Sequence, residues 1–376
     1  MFGFTLDPQG TNLPRQYGPW TSFKTIELHR DEPYQGVDVS ACLDDIGKHG
    51  FHLTAAHRRI THLVLAKNLA LVLGGGGATG NAWQVGVIAG LAEAGLDLAE
   101  AADLVIGTSS GSTTAVQVRS GIPAAELLAA ALSPPVQLAG QGREIRAALP
   151  MNAVHERMRA IGAAATSALD LQRAMGAFGL ESDAILGPEA AERRRATVAA
   201  RLPRQAWPDR PMILVAVDAH TGELAAFDRD SGVELVDAVT ASTALPGLVP
   251  THNINGARYI NGGVRSSENA DLAAGYAKVV VLSPFGERNQ TPPGRGADPA
   301  GQFEGLRRSA EWGTDLTSQV EALRKQGSRV EVITPDADSR VSMGTNQMDP
   351  SARPSSARAG YNQGRGVAGR LAEFWW

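Results

Sequence analysis

Two short apolar runs set the frame of this chain. Leu69-Ala70-Leu71-Val72-Leu73 leads into Gly74-Gly75-Gly76-Gly77-Ala78-Thr79-Gly80, and Leu104-Val105-Ile106 leads into Gly107-Thr108-Ser109-Ser110-Gly111. After the first turn, Ala82, Val85, Val87, Ile88 and Leu91 recur at helical spacing until Gly95. After the second, a helix is predicted over Ser110–Val118, stopped by Ser120-Gly121 and Pro123. Strand, glycine turn and helix twice in succession predict a parallel, doubly wound α/β sheet. Further on, residues 123–201 are alanine-rich and helical in pattern, broken by Pro134-Pro135 and Pro150. Met212–Asp218 reads as a buried strand with a hairpin partner at Glu223–Phe227, followed by a helix over Leu235–Ala244 that ends before Pro246-Gly247. Arg258-Tyr259-Ile260, Lys278–Leu282 and Val330–Thr334 read as strands, and a helix is expected near Leu306–Lys325. Residues 286–304 read as a loop rich in Gly, Pro, Gln and Asn, and Met343–Gly366 as weakly patterned, before a short helix ending in Phe374-Trp375-Trp376.

This pattern divides the chain into an accessory segment over 1–66, the main domain over 67–340, and a tail over 341–376 that packs on the domain or on a partner. The accessory segment opens with turn formers and carries a strand at Phe23–Leu28 and a helix around Val39–Lys48, with no function attached to it.

Composition narrows the class without naming a function. The 376 residues are 43% hydrophobic and 20% charged, as expected of a globular protein with a sizeable core. A net charge of −4 gives no reason to expect nucleic-acid binding. The lone cysteine, Cys42, cannot form an internal disulfide, and the N-terminus lacks a basic region followed by an apolar core, so a reducing, cytoplasmic setting is expected. No window approaches the ~18 apolar residues of a membrane span, so any membrane contact is peripheral. Phe374-Trp375-Trp376 and the apolar stretch Ala124–Leu138 are the two candidates for such contact, the second as a lipid-facing cap. Both also fit ordinary packing, and homo-oligomerisation is left open.

The two glycine turns carry the chemistry. Gly75-x-Gly77-x-x-Gly80 matches a dinucleotide fingerprint in spacing only, because the acid it needs at the end of the next strand is replaced by Gly-x-Ser-x-Gly. A P-loop fails because Asn81 stands where lysine is required. A serine on a sharp strand-to-helix turn, as at Ser109, is instead a nucleophile candidate, with helix N-capping as its plainer alternative. Gly75, Gly76 and Gly77 can offer N–H groups to an oxyanion, and the pair of turns points to acyl transfer through an acyl-serine. The serine needs a base. His220 and His252 follow it, with Asp218 and Asp237 as orienting acids; a direct carboxylate partner is the other route, and Asn261-Gly262-Gly263 occupies the place where such an acid would stand. The histidines His49, His52, His57 and His62 do not make a metal site: five-residue steps on a helix rotate about 140° each and scatter the rings.

The region from about Leu69 to Leu282 resembles the patatin-like phospholipases. The three ordered motifs are Gly75-Gly76-Gly77-Ala78-Thr79-Gly80, Gly107–Gly111 and Asn261-Gly262-Gly263, supported by Ala241-Ser242-Thr243-Ala244-Leu245-Pro246-Gly247. The resemblance implies a three-layer α/β/α fold with a mostly parallel sheet and hydrolysis of phospholipid or lysophospholipid acyl esters. It also implies a Ser–Asp dyad at Ser109 and position 261, an oxyanion hole at Gly75–Gly77 with Gly107, Gly111, Gly262 and Gly263 in support, and no metal, cofactor or catalytic histidine. Two positions depart from the family pattern. Thr79 replaces the usual Arg or Lys, and Asn261 replaces the dyad acid. An amide has no comparable basicity, so hydrolysis is expected to be weakened or lost while the shape of the site survives. An engineered Asp-to-Asn exchange, a lipid-binding pseudoenzyme, and another base (Asp218, Asp271 or His252) each account for the asparagine.

Overall fold

The structure, a computed structural model, describes residues 69–134, 150–286 and 309–375, with the backbone of Gly3–Leu6 and Lys24–Glu27. The chain forms two compact units, Met1–Thr61 and His62–Trp376. In the first, β1 (Gly3–Leu6) pairs antiparallel with β2 (Lys24–Glu27), which falls within the expected Phe23–Leu28 strand. The expected helix at 39–48, the histidines at 49–62 and most of the 286–304 loop lie outside the described residues.

In the second unit, β3 (Leu69–Leu73) leads into α1 (Gly77–Glu93), and β4 (Leu104–Thr108) leads into α3 (Ser110–Val118), with a short α2 (Leu98–Ala101) between them. The alanine-rich region folds as α4 (Ala124–Leu132), α5 (Met151–Ala164), α6 (Ala168–Leu186) and α7 (Pro188–Arg201). Strands β5 (Met212–Asp218) and β6 (Leu224–Phe227), helix α8 (Leu235–Ser242), and strands β7 (His252–Ile254), β8 (Ala257–Asn261) and β9 (Lys278–Leu282) follow. The unit closes with α9 (Leu316–Lys325), β10 (Arg329–Ile333), α10 (Ala337–Met343) and α11 (Arg353–Trp375).

Strands β10, β9, β3, β4 and β5 are parallel in that order, and β6, β8 and β7 add antiparallel pairings beyond them. Side-chain alternation along β3 divides the core between two faces. Leu69, Leu71 and Leu73 pack with α1, α3, α8 and α11, whereas Ala70 and Val72 pack with Val320 and Leu323 of α9. A third cluster joins Val217 and Ile260 to Met175 and Phe178 of α6. The sheet with helices on both faces is the three-layer α/β fold that the motif order implied.

One feature of β5 places the site. Leu214 and Val215 pair with both β4 and β6, while Ala216 and Val217 pair with both β6 and β8. A strand has two edges, so β6 takes one and β4 and β8 occupy the other end to end. The C-terminal end of β4, at Thr108 opposite Val215, therefore meets the C-terminal end of β8, at Asn261 opposite Ala216.

The C-terminal region differs from the expected weakly patterned tail. Its glycines lower helix propensity, yet α11 runs for 23 residues against α1. A Cβ on Gly360 or Gly364 would lie 2.3 Å from the carbonyl oxygens of Trp83 or Val87, so the two backbones touch where only glycine fits. Trp83 Nε1 donates to Gln363 Oε1 across this contact at 2.9 Å, and Phe374 is buried. Helix α9 begins at Leu316 rather than near 306, because the Asp315 side chain accepts from Ser318 N–H and caps it there. In α4, Leu127 and Ala131 are buried against the helices of the main core. Among the described residues, no helix is long and apolar enough to cross a membrane.

Candidate active site

Ser109 occupies the turn between β4 and α3 with φ 56° and ψ −125°, one of three non-glycine residues with positive φ among those described. Such a backbone costs about 1–3 kcal/mol and persists only where neighbours hold it. Two do so. Gly111 lets the start of α3 lie against β3, since a Cβ there would sit 2.0 Å from Leu73 O. Ser242, at the end of α8, accepts the Ser109 N–H at 3.0 Å and shares a 2.6 Å hydrogen bond with Ser112 Oγ, which in turn donates to Gly107 O at 3.1 Å. Ser109 stands in the N-cap position of α3, but its side chain makes no capping bond, which removes the plainer reading of this serine.

The Ser109 hydroxyl faces Asn261 instead. Asn261 Nδ2 donates to Ser109 Oγ at 2.9 Å, and Asn261 Oδ1 accepts from Gly263 N–H at 2.7 Å. The second bond fixes the amide orientation, because a flipped amide would oppose its NH₂ to that N–H. A side chain at Gly263 would crowd Oδ1, and one at Gly262 would strike Val215 O, so both glycines keep this bracket closed. Residue 261 is also tied by its backbone, its N–H donating to Ala244 O at 2.9 Å. The segment Ser242–Ala244 thus grips both members of the pair, a role the sequence marked only as family likeness.

The glycine turn lies directly beside the serine: a Cβ on Gly75 would be 3.2 Å from Ser109 Cβ. The Gly75 N–H donates to Ser267 O at 2.8 Å and the Gly74 N–H to Leu282 O at 3.0 Å. Gly75 is therefore committed to the scaffold, which narrows the expected oxyanion donors. Among the described residues, Gly76 and Gly77, at the start of α1, have no acceptor for their N–H groups. Thr79 is fully buried; its N–H donates to Gln347 O at 3.1 Å, and its hydroxyl has no partner among the described residues.

Among the described residues, none of the other base candidates bonds to the Ser109 hydroxyl. His252 Nε2 is 2.8 Å from Asp237 Oδ1, and Asp237 also accepts from Arg195 Nε at 2.6 Å. Burial pushes the His252 imidazole below its ordinary range, outweighing the pull of Asp237. Burial pushes the Asp237 carboxyl up, but hydrogen bonds from Arg195 and His252 outweigh it and hold the group below the usual carboxylate range. His220 is exposed, and its backbone N–H donates to Asp218 Oδ1 at 2.8 Å. Asp271 is bracketed by Arg265 at 2.6 and 3.0 Å and by Gln319 at 2.8 Å. The side-chain partner of Ser109 Oγ is Asn261, not one of these groups.

Residues 71–274 match the sequence profile described as Patatin-like phospholipase, over more than half of the chain. Among solved structures, VipD from Legionella pneumophila is similar at 14% identity and a TM-score of 0.36, over 81% of this chain and 67% of that one. The type III effector protein ExoU is similar at 15% identity and a TM-score of 0.33, over 81% of this chain, which spans about half (53%) of ExoU. No curated protein sequence matches the chain significantly.

Proposed function

The chain belongs to the patatin-like phospholipase family, a family of lipid acyl hydrolases, and from that premise we propose that Ser109 is the nucleophile of a serine acyl hydrolase whose base position carries an amide. The 2.9 Å contact between Ser109 Oγ and Asn261 carries this reading. It is the separation at which a carboxylate in the same place would accept the serine proton. In the reaction, Ser109 Oγ attacks the ester carbonyl of a phospholipid or lysophospholipid, and its proton passes to an oxygen at position 261. The oxyanion is held by Gly76 and Gly77 N–H, and the proton moves on to the leaving alcohol. Water then releases the acyl group by the same route. With asparagine, Nδ2 donates toward Oγ and offers no acceptor, so the first proton transfer is disabled while the binding surface is kept.

The direction of that hydrogen bond favours a second reading, a lipid-binding protein that does not hydrolyse. A serine-directed fluorophosphonate separates the two. Labelling of Asn261→Asp that disappears in the Asn261→Asp/Ser109→Ala double variant supports the hydrolase. No labelling and no ester hydrolysis by Asn261→Asp, with fatty acid or lysolipid still bound, moves the binding protein to first place.

A further inference from the structure

Three non-glycine residues have positive φ among those described. Ser109 is the nucleophile candidate, and Asn255 stands in the exposed turn between β7 and β8. The third, Asn269, is fully buried, with φ 53° and ψ 43°. Asparagine enters this left-handed region more readily than most residues, which permits it here but does not explain its side chain. Asn269 Nδ2 donates to Ser266 O at 2.8 Å, to Thr108 Oγ1 at 3.1 Å and to Gly262 O at 3.3 Å, so both of its protons are used. Its Oδ1 accepts from Arg265 Nη1 at 2.6 Å, which fixes the way the amide faces. Its backbone N–H donates to Ser266 Oγ at 3.0 Å, and Ser266 Oγ bonds Gln319 Oε1 of α9 at 3.2 Å.

Two of these acceptors flank the Ser109–Asn261 pair. Thr108 directly precedes Ser109, and Gly262 directly follows Asn261. Strands β4 and β8 lie end to end on β5 and do not pair with each other. One buried amide therefore ties the end of β4 to the end of β8 at the point where the pair meets. Thr108 Oγ1 in turn donates to Glu268 O at 3.3 Å, and Ser267 O receives the Gly75 N–H at 2.8 Å. Residues 266–269 thus touch the nucleophile strand, the bracket around residue 261 and the glycine turn. Ser242 and Ala244 hold the same pair through other atoms, the N–H groups of Ser109 and Asn261. Removing the Asn269 amide would leave buried oxygens of both strand ends short of a donor, which favours their moving apart.

We propose that Asn269 is a positioning residue, which sets the separation of Ser109 and residue 261 by tying Thr108 to Gly262 through its side-chain amide. Its effect on turnover rests on the hydrolase reading above; its effect on the geometry of the pair does not. The geometric test keeps Asn261 and compares crystal structures of the full chain with Asn269→Gly, Thr108→Val and Thr108→Ser. Glycine accepts the left-handed backbone and lacks the amide, so it separates the side chain from the conformation. The Ser109 Oγ to Asn261 Nδ2 distance should open past about 3.5 Å in Asn269→Gly and Thr108→Val, and stay within hydrogen-bond range in Thr108→Ser. The kinetic test repeats the series in the Asn261→Asp background. There kcat on a short-chain p-nitrophenyl ester should fall about 10–100-fold in Asn269→Gly and Thr108→Val, with KM within about twofold. Thr108→Ser should keep most of the activity. The Asn269→Gly/Thr108→Val double variant should lose less than the product of the single losses, because both cut one tie. An unchanged pair distance in both Asn269→Gly and Thr108→Val overturns the proposal, as does an equal opening in Thr108→Ser and Thr108→Val. If Asn269→Gly does not fold, the two Thr108 variants decide in its place. An inactive Asn261→Asp parent refutes the hydrolase reading, and the crystal distances still decide the role of Asn269.

Discussion

Two side-chain pairs near the antiparallel edge of the sheet invite comparison. Ser109 and Asn261 are 2.9 Å apart, and His252 and Asp237 are 2.8 Å apart. The first pair has a strained, well-supported nucleophile and no ionisable partner. The second has two ionisable partners, a buried imidazole and a carboxylate shared with Arg195, and no nucleophile. Proximity of a histidine and an acid in sequence order suggested a triad, but the register of β7 and β8 commits that pair to α8 and α7. Short distance alone does not make a catalytic pair; what decides is which atoms carry and accept the proton.

The comparison is broken most strongly by giving the first pair its ionisable partner. Asn261→Asp is expected to raise kcat on a short-chain p-nitrophenyl ester by about 10²–10⁴-fold, the range of general-base catalysis. The carboxylate would keep the Gly263 N–H bond and turn its second oxygen to Ser109. High turnover by the unsubstituted chain would instead locate the base elsewhere. A smaller effect comes from loosening the nucleophile. In the Asn261→Asp background, Ser242→Ala removes the acceptor of the Ser109 N–H and should lower kcat about tenfold with KM little changed, read from steady-state kinetics. Loss confined to KM would contradict a positioning role for Ser242.

The second pair should answer in stability and not in turnover. His252→Leu in the same background is expected to leave ester hydrolysis within about twofold. It should destabilise the fold by about 1–3 kcal/mol in urea titration, because Asp237 loses a buried partner. A collapse of activity in a folded His252→Leu protein would revive the triad. The smallest effect is in the pH dependence. His252 is held below its ordinary 6.5 in the folded state, so the unfolded chain takes up that proton first. Its contribution is intact above about pH 6.5 and is lost as pH falls below it. Asp237, held below 3.8, loses its contribution further down. The thermal midpoint of the unsubstituted chain should therefore fall between pH 7 and 5, and His252→Leu should flatten that part of the curve.

Much of this molecule was legible residue by residue. The strands at 69–73, 104–108, 212–218 and 278–282 are apolar runs bounded by turn formers, and helix α3 starts and stops where its serines, glycines and proline require. Strand β7 was missed because three residues, His252-Asn253-Ile254, are too few to show a period. Helix α11 was expected only as a short terminal helix, and its first turns escaped notice for the opposite reason: Gly360 and Gly364 lower helix propensity in isolation and are the contact surface in place.

By itself, then, the sequence determined the order of the motifs, the turn that exposes Ser109, and the amide standing where the acid is expected. These follow from local rules, namely which residues tolerate a positive φ, which alternate, and which side chains can hold a proton. The tertiary structure decided what local rules cannot reach. It set β4 and β8 end to end on one edge of β5, committed the Gly75 N–H to Ser267, and brought Arg353 to Ala78 across 275 positions of chain. Each of these depends on strand register or helix docking between segments far apart in sequence, where the favourable term is burial and hydrogen-bond pairing across the whole fold.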